Sequence, residues 1–195
     1  MSSMRLVLAS SSPRRHQLLA SLGLAFDVTN PEVDEIRHPD EEPYDYVERV
    51  AKAKVAAALG PDLVVVGADT TVVIEGTILG KPAHPDEAES MLRRLSGAVH
   101  EVLTAVAVGI LDEQAQIVSA VESTLVRFLP LTAEEIADYV ATGEPMDKAG
   151  AYALTGIGAV FVEAVQGSPS GVSGLPLHTL ARLFRGLGLD LLSFR

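Results

Sequence analysis

Apolar and polar positions repeat with two different periods along the chain, and each change of period marks an element. Arg5 to Ala9 is a short apolar run that stops at three serines, the pattern of a buried strand. Ser12-Pro13 then predicts a helix start, a capping hydroxyl before a proline at the first helical position. Leu18, Leu19 and Leu22 supply the apolar face of that helix, and Gly23 ends it. Pro31 to Glu42 is acidic and turn-rich, which predicts an exposed loop. A helix follows from about Tyr44 to Leu59, stopped by Gly60-Pro61. Leu63 to Val66 is a continuous apolar strand expected to break at Gly67-Ala68-Asp69-Thr70. Thr71 to Ile74 and Thr77 to Leu79 then form a hairpin around Glu75-Gly76.

Gly80-Lys81-Pro82 leads into a helix with Ala88, Met91, Leu92 and Leu95 on one face. His100 to Leu111 and Ile117 to Phe128 are long β-branched runs joined by a polar turn around Asp112 to Ala115, as in an antiparallel pair. Thr132 and Glu135 form a capping box for a helix carrying Ile136, Tyr139 and Val140, closed by Gly143. Short strands are expected near Ala151 to Leu154 and Val160 to Val165. The loop Gly167 to Gly174 and a last helix, Leu177 to Arg185, complete the chain. Strands and helices mix without regular βαβ alternation. The expected class is therefore α/β, with a mixed, partly antiparallel sheet flanked by helices. The 195 residues suit a single domain, 1–195, of one core or of two lobes.

Composition narrows the function. At this length folding hides roughly 70% of the extended chain's surface, so no covalent staple is needed. The absence of cysteine excludes disulfides, thiolate zinc sites and cysteine catalysis. The apolar run Leu6 to Ala9 is too short for a signal peptide, and no segment approaches the ~20 apolar residues that span a bilayer. A cytoplasmic protein without a membrane anchor is expected. The net charge of −11 repels nucleic-acid backbones, which argues against a long nucleic-acid partner. A small polyphosphate needs only a local positive pocket, so the placement of the few cations becomes the central question.

Ser10-Ser11-Ser12-Pro13-Arg14-Arg15 stands where a strand meets a helix. Free N–H groups, the positive end of the helix dipole and serine hydroxyls suit an anion there. Arg14 and Arg15 oppose that dipole, which a phosphate site would explain; an ordinary capped helix with solvated arginines accounts for the same residues. On the next helix, Lys54 lies within roughly 20° of Val47 on the wheel, flanked by Val50, Ala51, Val55 and Ala58. A lysine in the middle of an apolar stripe must be paired or snorkel to water, whereas Lys52 points away and is solvated. Asp69 follows a buried strand, a place where carboxylates often face a ligand crevice, with Gly67 and Ala68 keeping the approach open. It could equally cap the turn before Thr71. Lys81 and Lys148 are cations on turns rich in Gly and Pro, a setting equally suited to surface lysines.

Walker A, G-x-S-x-G, H-E-x-x-H and Rossmann glycine patterns are absent, and the five histidines lack metal-ligand spacing. A metal, if used, would be a hard ion such as Mg²⁺ held by carboxylates and phosphate, with Glu35 a candidate ligand. The acidic loop bearing Glu35 could also simply be solvated.

Taken in order, LASSSPRR from Leu8, VDE at Val33, Lys54, GADT from Gly67, LGKP from Leu79, GEPMDKAGAYAL from Gly143 and GVSGLPL from Gly171 resemble the Maf family of nucleotide pyrophosphatases. The resemblance covers nearly the whole chain. It implies an elongated mixed sheet of the inosine-triphosphatase-like kind, two lobes with a central cleft, a homodimer, and a divalent metal, Mg²⁺ or Mn²⁺. It also implies hydrolysis of nucleoside triphosphates to monophosphate and pyrophosphate. Asp69 would be the proton acceptor for the attacking water. Ser10, Arg14, Arg15, Lys54, Lys81 and Lys148 would hold phosphates, and Glu35 with Asp69 would hold the metal. SPRR with GADT and DKAGAY is similar to the branch that prefers dTTP and UTP, with Arg14, Thr70 and Thr155 as the implied specificity positions. Here Leu154-Thr155-Gly156 replaces that branch's usual Ile-Gln-Gly, and Ser168 to Ser173 departs from its usual Tyr, Asn and Val. These departures leave room for modified pyrimidine triphosphates. Two other readings are a nucleotide-binding regulator of septum formation without turnover and a phosphohydrolase releasing orthophosphate.

Overall fold

The computed structural model describes residues 4–195; the first three residues of the N-terminal segment, weighed above as a leader, lie outside them. In chain order the elements are β1 (Arg5–Ala9), α1 (Pro13–Ala20), β2 (Phe26–Thr29), α2 (Pro43–Ala58), β3 (Leu63–Ile74), β4 (Thr77–Leu79) and α3 (Pro85–Leu95). Then come β5 (Val99–Leu111), β6 (Ala115–Phe128), α4 (Ala133–Ala141), β7 (Val162–Gln166), α5 (Pro169–Val172) and α6 (Leu177–Gly186). Among the described residues seven strands make one sheet in the order β2-β1-β3-β5-β6-β7, with β4 paired to β3. The sheet is mixed, as expected. β1 runs parallel to both β2 and β3, whereas β4 and β7 are antiparallel to β3 and β6. The short turn between the neighbours β5 and β6 admits only antiparallel pairing. No helix among the described residues is long and apolar enough to cross a membrane.

The chain divides into two compact units, the first comprising the described part of Met1–Asp69 with Thr104–Glu122 and Gly174–Arg195, the second Thr70–Leu103 with Ser123–Ser173. In the first unit, strand alternation gives the sheet two buried faces. Leu6, Leu8, Val64, Val66, Ala68, Val106 and Val108 share one core with Leu19 of α1 and Leu180, Leu183 and Phe184 of α6. The other face, carrying Val65, Gly67 and Asp69, lies under α2. A Cβ on Gly67 would come within 2.8 Å of the Ala51 carbonyl oxygen and 2.9 Å of Val55 Cγ2, so only glycine lets the helix settle this close.

That contact corrects the expected break at Gly67-Ala68-Asp69-Thr70. β3 runs through these positions as one strand of 12 residues. The small residues serve helix-on-sheet packing rather than a turn, and Asp69 stands within the strand rather than at its carboxyl end. Three further differences have identifiable causes. β2 forms although no strand was expected there, because it adds an edge to β1. Ala151 to Leu154 is not a strand: Gly150 and Ala151 have φ of 68° and 60°, and a left-handed pair cannot continue extended backbone. Gly150 sits where a Cβ would press on Val72, and its N–H donates to the Gly80 carbonyl at 3.0 Å. Ser12 occupies the N-cap of α1 without a side-chain cap bond; instead its N–H donates to Ser10 Oγ at 3.2 Å. The Thr132–Glu135 capping box forms as expected.

In the second unit α3 and α4 cover a core of Val72, Ile74, Met91, Leu92, Leu95, Val126, Phe128, Ile136 and Tyr139. His100 is buried in it, edge-on to Phe128 and Tyr152. Its Nε2 pairs with the Tyr152 hydroxyl at 2.7 Å, while Nδ1 has no partner among the described residues. Burial pushes this imidazole down to about 4. The unfolded chain takes up the same proton near 6.5. His100 therefore contributes stability that is complete above about pH 6.5 and lost as pH falls toward 4, by up to about 3 kcal/mol. His100→Gln, which keeps a hydrogen-bonding side chain but cannot titrate, is expected to flatten the fall in Tm between pH 7 and pH 4.5. Equal slopes in the two proteins would refute this assignment.

Candidate active site

Lys54 and Asp69 meet because two independent periodicities point them at each other. Lys54 stands on the buried stripe of α2, among Val47, Val50, Ala51 and Val55. Asp69 shares the face of β3 that carries Val65 and Gly67, the face under α2. Lys54 Nζ donates to Asp69 Oδ1 at 2.9 Å, and both residues are almost fully buried, at 7% and 8% exposure. The lysine is thus paired and does not snorkel. The same ammonium lies 3.0 Å from Oε1 of Glu35, whose side chain is half exposed in the acidic loop. One cation therefore holds two carboxylates from different segments. Lys52, as expected, points to solvent, where it pairs with Glu48 one turn away.

The junction of β1 and α1 gathers the next group. Ser10 is buried at the end of β1, and its Oγ accepts from Arg15 Nη1 at 3.2 Å. Arg15 Nε donates to the Gly174 carbonyl at 2.8 Å. Arg15 is buried, so the reading of two solvated arginines fails for this one. Burial lowers the pKa of its guanidinium; the negative charge of Asp69 works against that loss, and the neighbouring Arg14 adds to it. Arg14 is half-buried and has no ion-pair partner among the described residues. Ser10, Arg14, Arg15, Glu35, Lys54 and Asp69 all belong to the first unit.

The remaining expected residues belong to the second unit. Thr70 follows Asp69 on β3 and is half-buried, Lys81 is exposed after β4, and Thr155 is exposed at a bend. Lys148 is not a free loop lysine: its Nζ donates to the Glu144 carbonyl at 2.5 Å and to Asp147 Oδ1 at 2.6 Å. The Glu144 carboxylate accepts from the Tyr139 hydroxyl and from the N–H groups of Ile157 and Gly158, at 3.0, 2.9 and 2.9 Å. Burial alone would raise this carboxyl, but those donors outweigh it and keep its pKa below the ordinary range. Glu144 thereby ties the Lys148 turn to the segment that follows Thr155. Nothing in the local pattern singled out Glu144, or Tyr46 and Arg49 beside the acidic loop, because their partners are brought in by loops of irregular backbone.

Residues 5–187 match the family described as Maf-like protein. The chain belongs to the Maf family. It is 52% identical over 186 residues to the dTTP/UTP pyrophosphatase of Anaeromyxobacter sp. (strain Fw109-5), covering 94% of this chain and 90% of that protein. The dTTP/UTP pyrophosphatase of Anaeromyxobacter dehalogenans (strain 2CP-1 / ATCC BAA-258) is 53% identical over 188 residues, with 96% of each chain covered. That of Hahella chejuensis (strain KCTC 2396) is 47% identical over 194 residues, covering 97% of this chain and 95% of that one.

The geometry combines two carboxylates on one buried ammonium with a buried arginine held at a strand–helix junction. No group of three or more His, Cys, Asp or Glu side chains able to hold a metal is present among the described residues. The two carboxylates that converge on Lys54 fit an ion such as Mg²⁺. Such an ion is commonly held by one or two carboxylates and takes its other ligands from substrate phosphates and water.

Proposed function

We propose that the chain hydrolyses dTTP and UTP to the nucleoside monophosphate and pyrophosphate. The observation that carries this is the buried Lys54–Asp69 pair with Glu35 on the same ammonium, close enough to the buried Arg15 for both carboxylates to act on its charge. The names of relatives about half identical over nearly the whole chain support the same reaction. A carboxylate held by one oxygen is oriented, and its second oxygen is the proposed acceptor of the proton from water. That water attacks the α-phosphorus, the bond to the bridging oxygen breaks, and pyrophosphate leaves with the electron pair. Arg14, Arg15, Lys54 and the Ser10 hydroxyl are proposed to stabilise the charge on the phosphates. Lys81 and Lys148 are proposed as further phosphate ligands, supported by the family motifs in which they stand. A divalent ion, Mg²⁺ or Mn²⁺, would be held by Glu35 and Asp69 and would supply positive charge to the phosphate oxygens.

Arg14, Thr70 and Thr155 are proposed to set base preference. Thr155, shorter than the glutamine common in the dTTP/UTP branch, supports extending the range to modified pyrimidine triphosphates. A cytoplasmic homodimer is proposed from the same resemblance. Purified protein incubated with Mg²⁺ or Mn²⁺ and a panel of triphosphates is expected to release pyrophosphate and monophosphate, fastest from dTTP and UTP. Orthophosphate as first product would overturn the reaction. Tight nucleotide binding without product would instead identify a regulator.

A further inference from the structure

Glu35 occupies an exposed loop, yet its carboxylate sits at a defined point 3.0 Å from Lys54 Nζ. An exposed glutamate on a loop ordinarily samples many rotamers and backbone states, so something must hold the backbone beneath it. The structure places that hold on α2. Arg49 Nη1 donates to the Asp34 carbonyl at 3.1 Å, and Nη2 donates to the Ile36 carbonyl at 2.9 Å. The Tyr46 hydroxyl donates to the carbonyl of Glu35 itself at 3.0 Å. Three consecutive carbonyls, with Glu35 at the centre, are therefore gripped by two side chains one turn apart.

The grip is itself anchored. Arg49 forks onto Glu41 at the far end of the loop, with Nε to Oε1 at 2.6 Å and Nη2 to Oε2 at 3.0 Å. Its guanidinium also lies 5.7 Å from the centre of the Tyr46 ring. Glu41 accepts in addition from the His38 N–H at 3.0 Å, and its carbonyl accepts from Arg37 Nε at 2.8 Å. A planar guanidinium suits this task because its donors have fixed directions, which an ammonium lacks. The hydrogen bond from Arg49 holds the Glu41 carboxyl at about 2, so the fork stays ionised through the working pH range.

We infer that Arg49 and Tyr46 are positioning residues that hold Glu35 at the Lys54–Asp69 pair, with no contact of their own to the nucleotide. This rests on the proposed reaction, in which Glu35 serves the site. The test is a double-mutant cycle on kcat, accompanied by amide hydrogen exchange across residues 34–41. Tyr46→Phe and Arg49→Gln are each expected to lower kcat about 10-fold, the range found when partners of a site ligand are removed. KM for the triphosphate should change little, and exchange across 34–41 should accelerate. In a Glu35→Gln background neither substitution should lower kcat further, because they act only through that carboxylate. Equal losses in both backgrounds would mean a general structural role and overturn the inference. Unchanged kcat in the single variants, unchanged exchange, or full activity of Glu35→Gln would overturn it as well. A wild-type protein without turnover would overturn the hydrolase reading instead, and the exchange comparison would then decide the clamp by itself.

Discussion

Asp69→Asn is expected to lower turnover by at least ~100-fold while nucleotide still binds, the scale of a lost general base. The substitution keeps the shape of the side chain within β3, and the amide oxygen can still accept from Lys54 Nζ. What it removes is the capacity to take a proton from water. A fall in kcat with little change in KM, in a protein that unfolds at nearly the wild-type temperature, would fit that role. Near-normal turnover would show that some other group receives the proton, and the assignment of Asp69 would fall.

Lys54→Met is expected to act on stability and catalysis together. Methionine suits the apolar stripe of α2, but the change strips the cation from a nearly buried carboxylate, and breaking such a pair typically costs about 3–5 kcal/mol. A second substitution separates the two effects. Lys54→Met with Asp69→Leu removes both charges and leaves an apolar contact between α2 and β3, so much of the lost stability should return. Activity should not. Were the double variant as unstable as Lys54→Met alone, the cost would lie in packing rather than in an unpaired charge. Full activity in Lys54→Met would remove the lysine from the phosphate machinery.

Most elements were legible because their signals are local. The Thr132–Glu135 capping box, Pro starts, Gly ends and the Glu75-Gly76 hairpin depend on residues within a few positions of one another. Two of the differences share one cause. Gly67 reads as a local break and the residues after Gly150 as a strand, yet Gly67 is glycine because α2 passes over it, and Gly150 turns the chain where Val72 and Gly80 pack against it. A glycine demanded by a distant segment looks the same in sequence as one demanded by a turn. Asp69 thus reads as a strand-end carboxylate, although it stands inside a strand. What makes it distinctive is the helix above it.

By itself the sequence determined most of the alternation of elements, the place of Lys54 on the apolar stripe of its helix and the resemblance to the family, because each depends on residue type and spacing along the chain. Which carboxylates meet that lysine was decided only by tertiary structure. The register of α2 over β3 sets Asp69 beneath Nζ, and the Arg49–Tyr46 grip carries Glu35 to the same ammonium from a loop with no periodicity of its own. A buried charge announces that it needs a partner, through the cost of leaving it unpaired. The identity of the partner depends on distances between segments, and those exist only once the chain has folded.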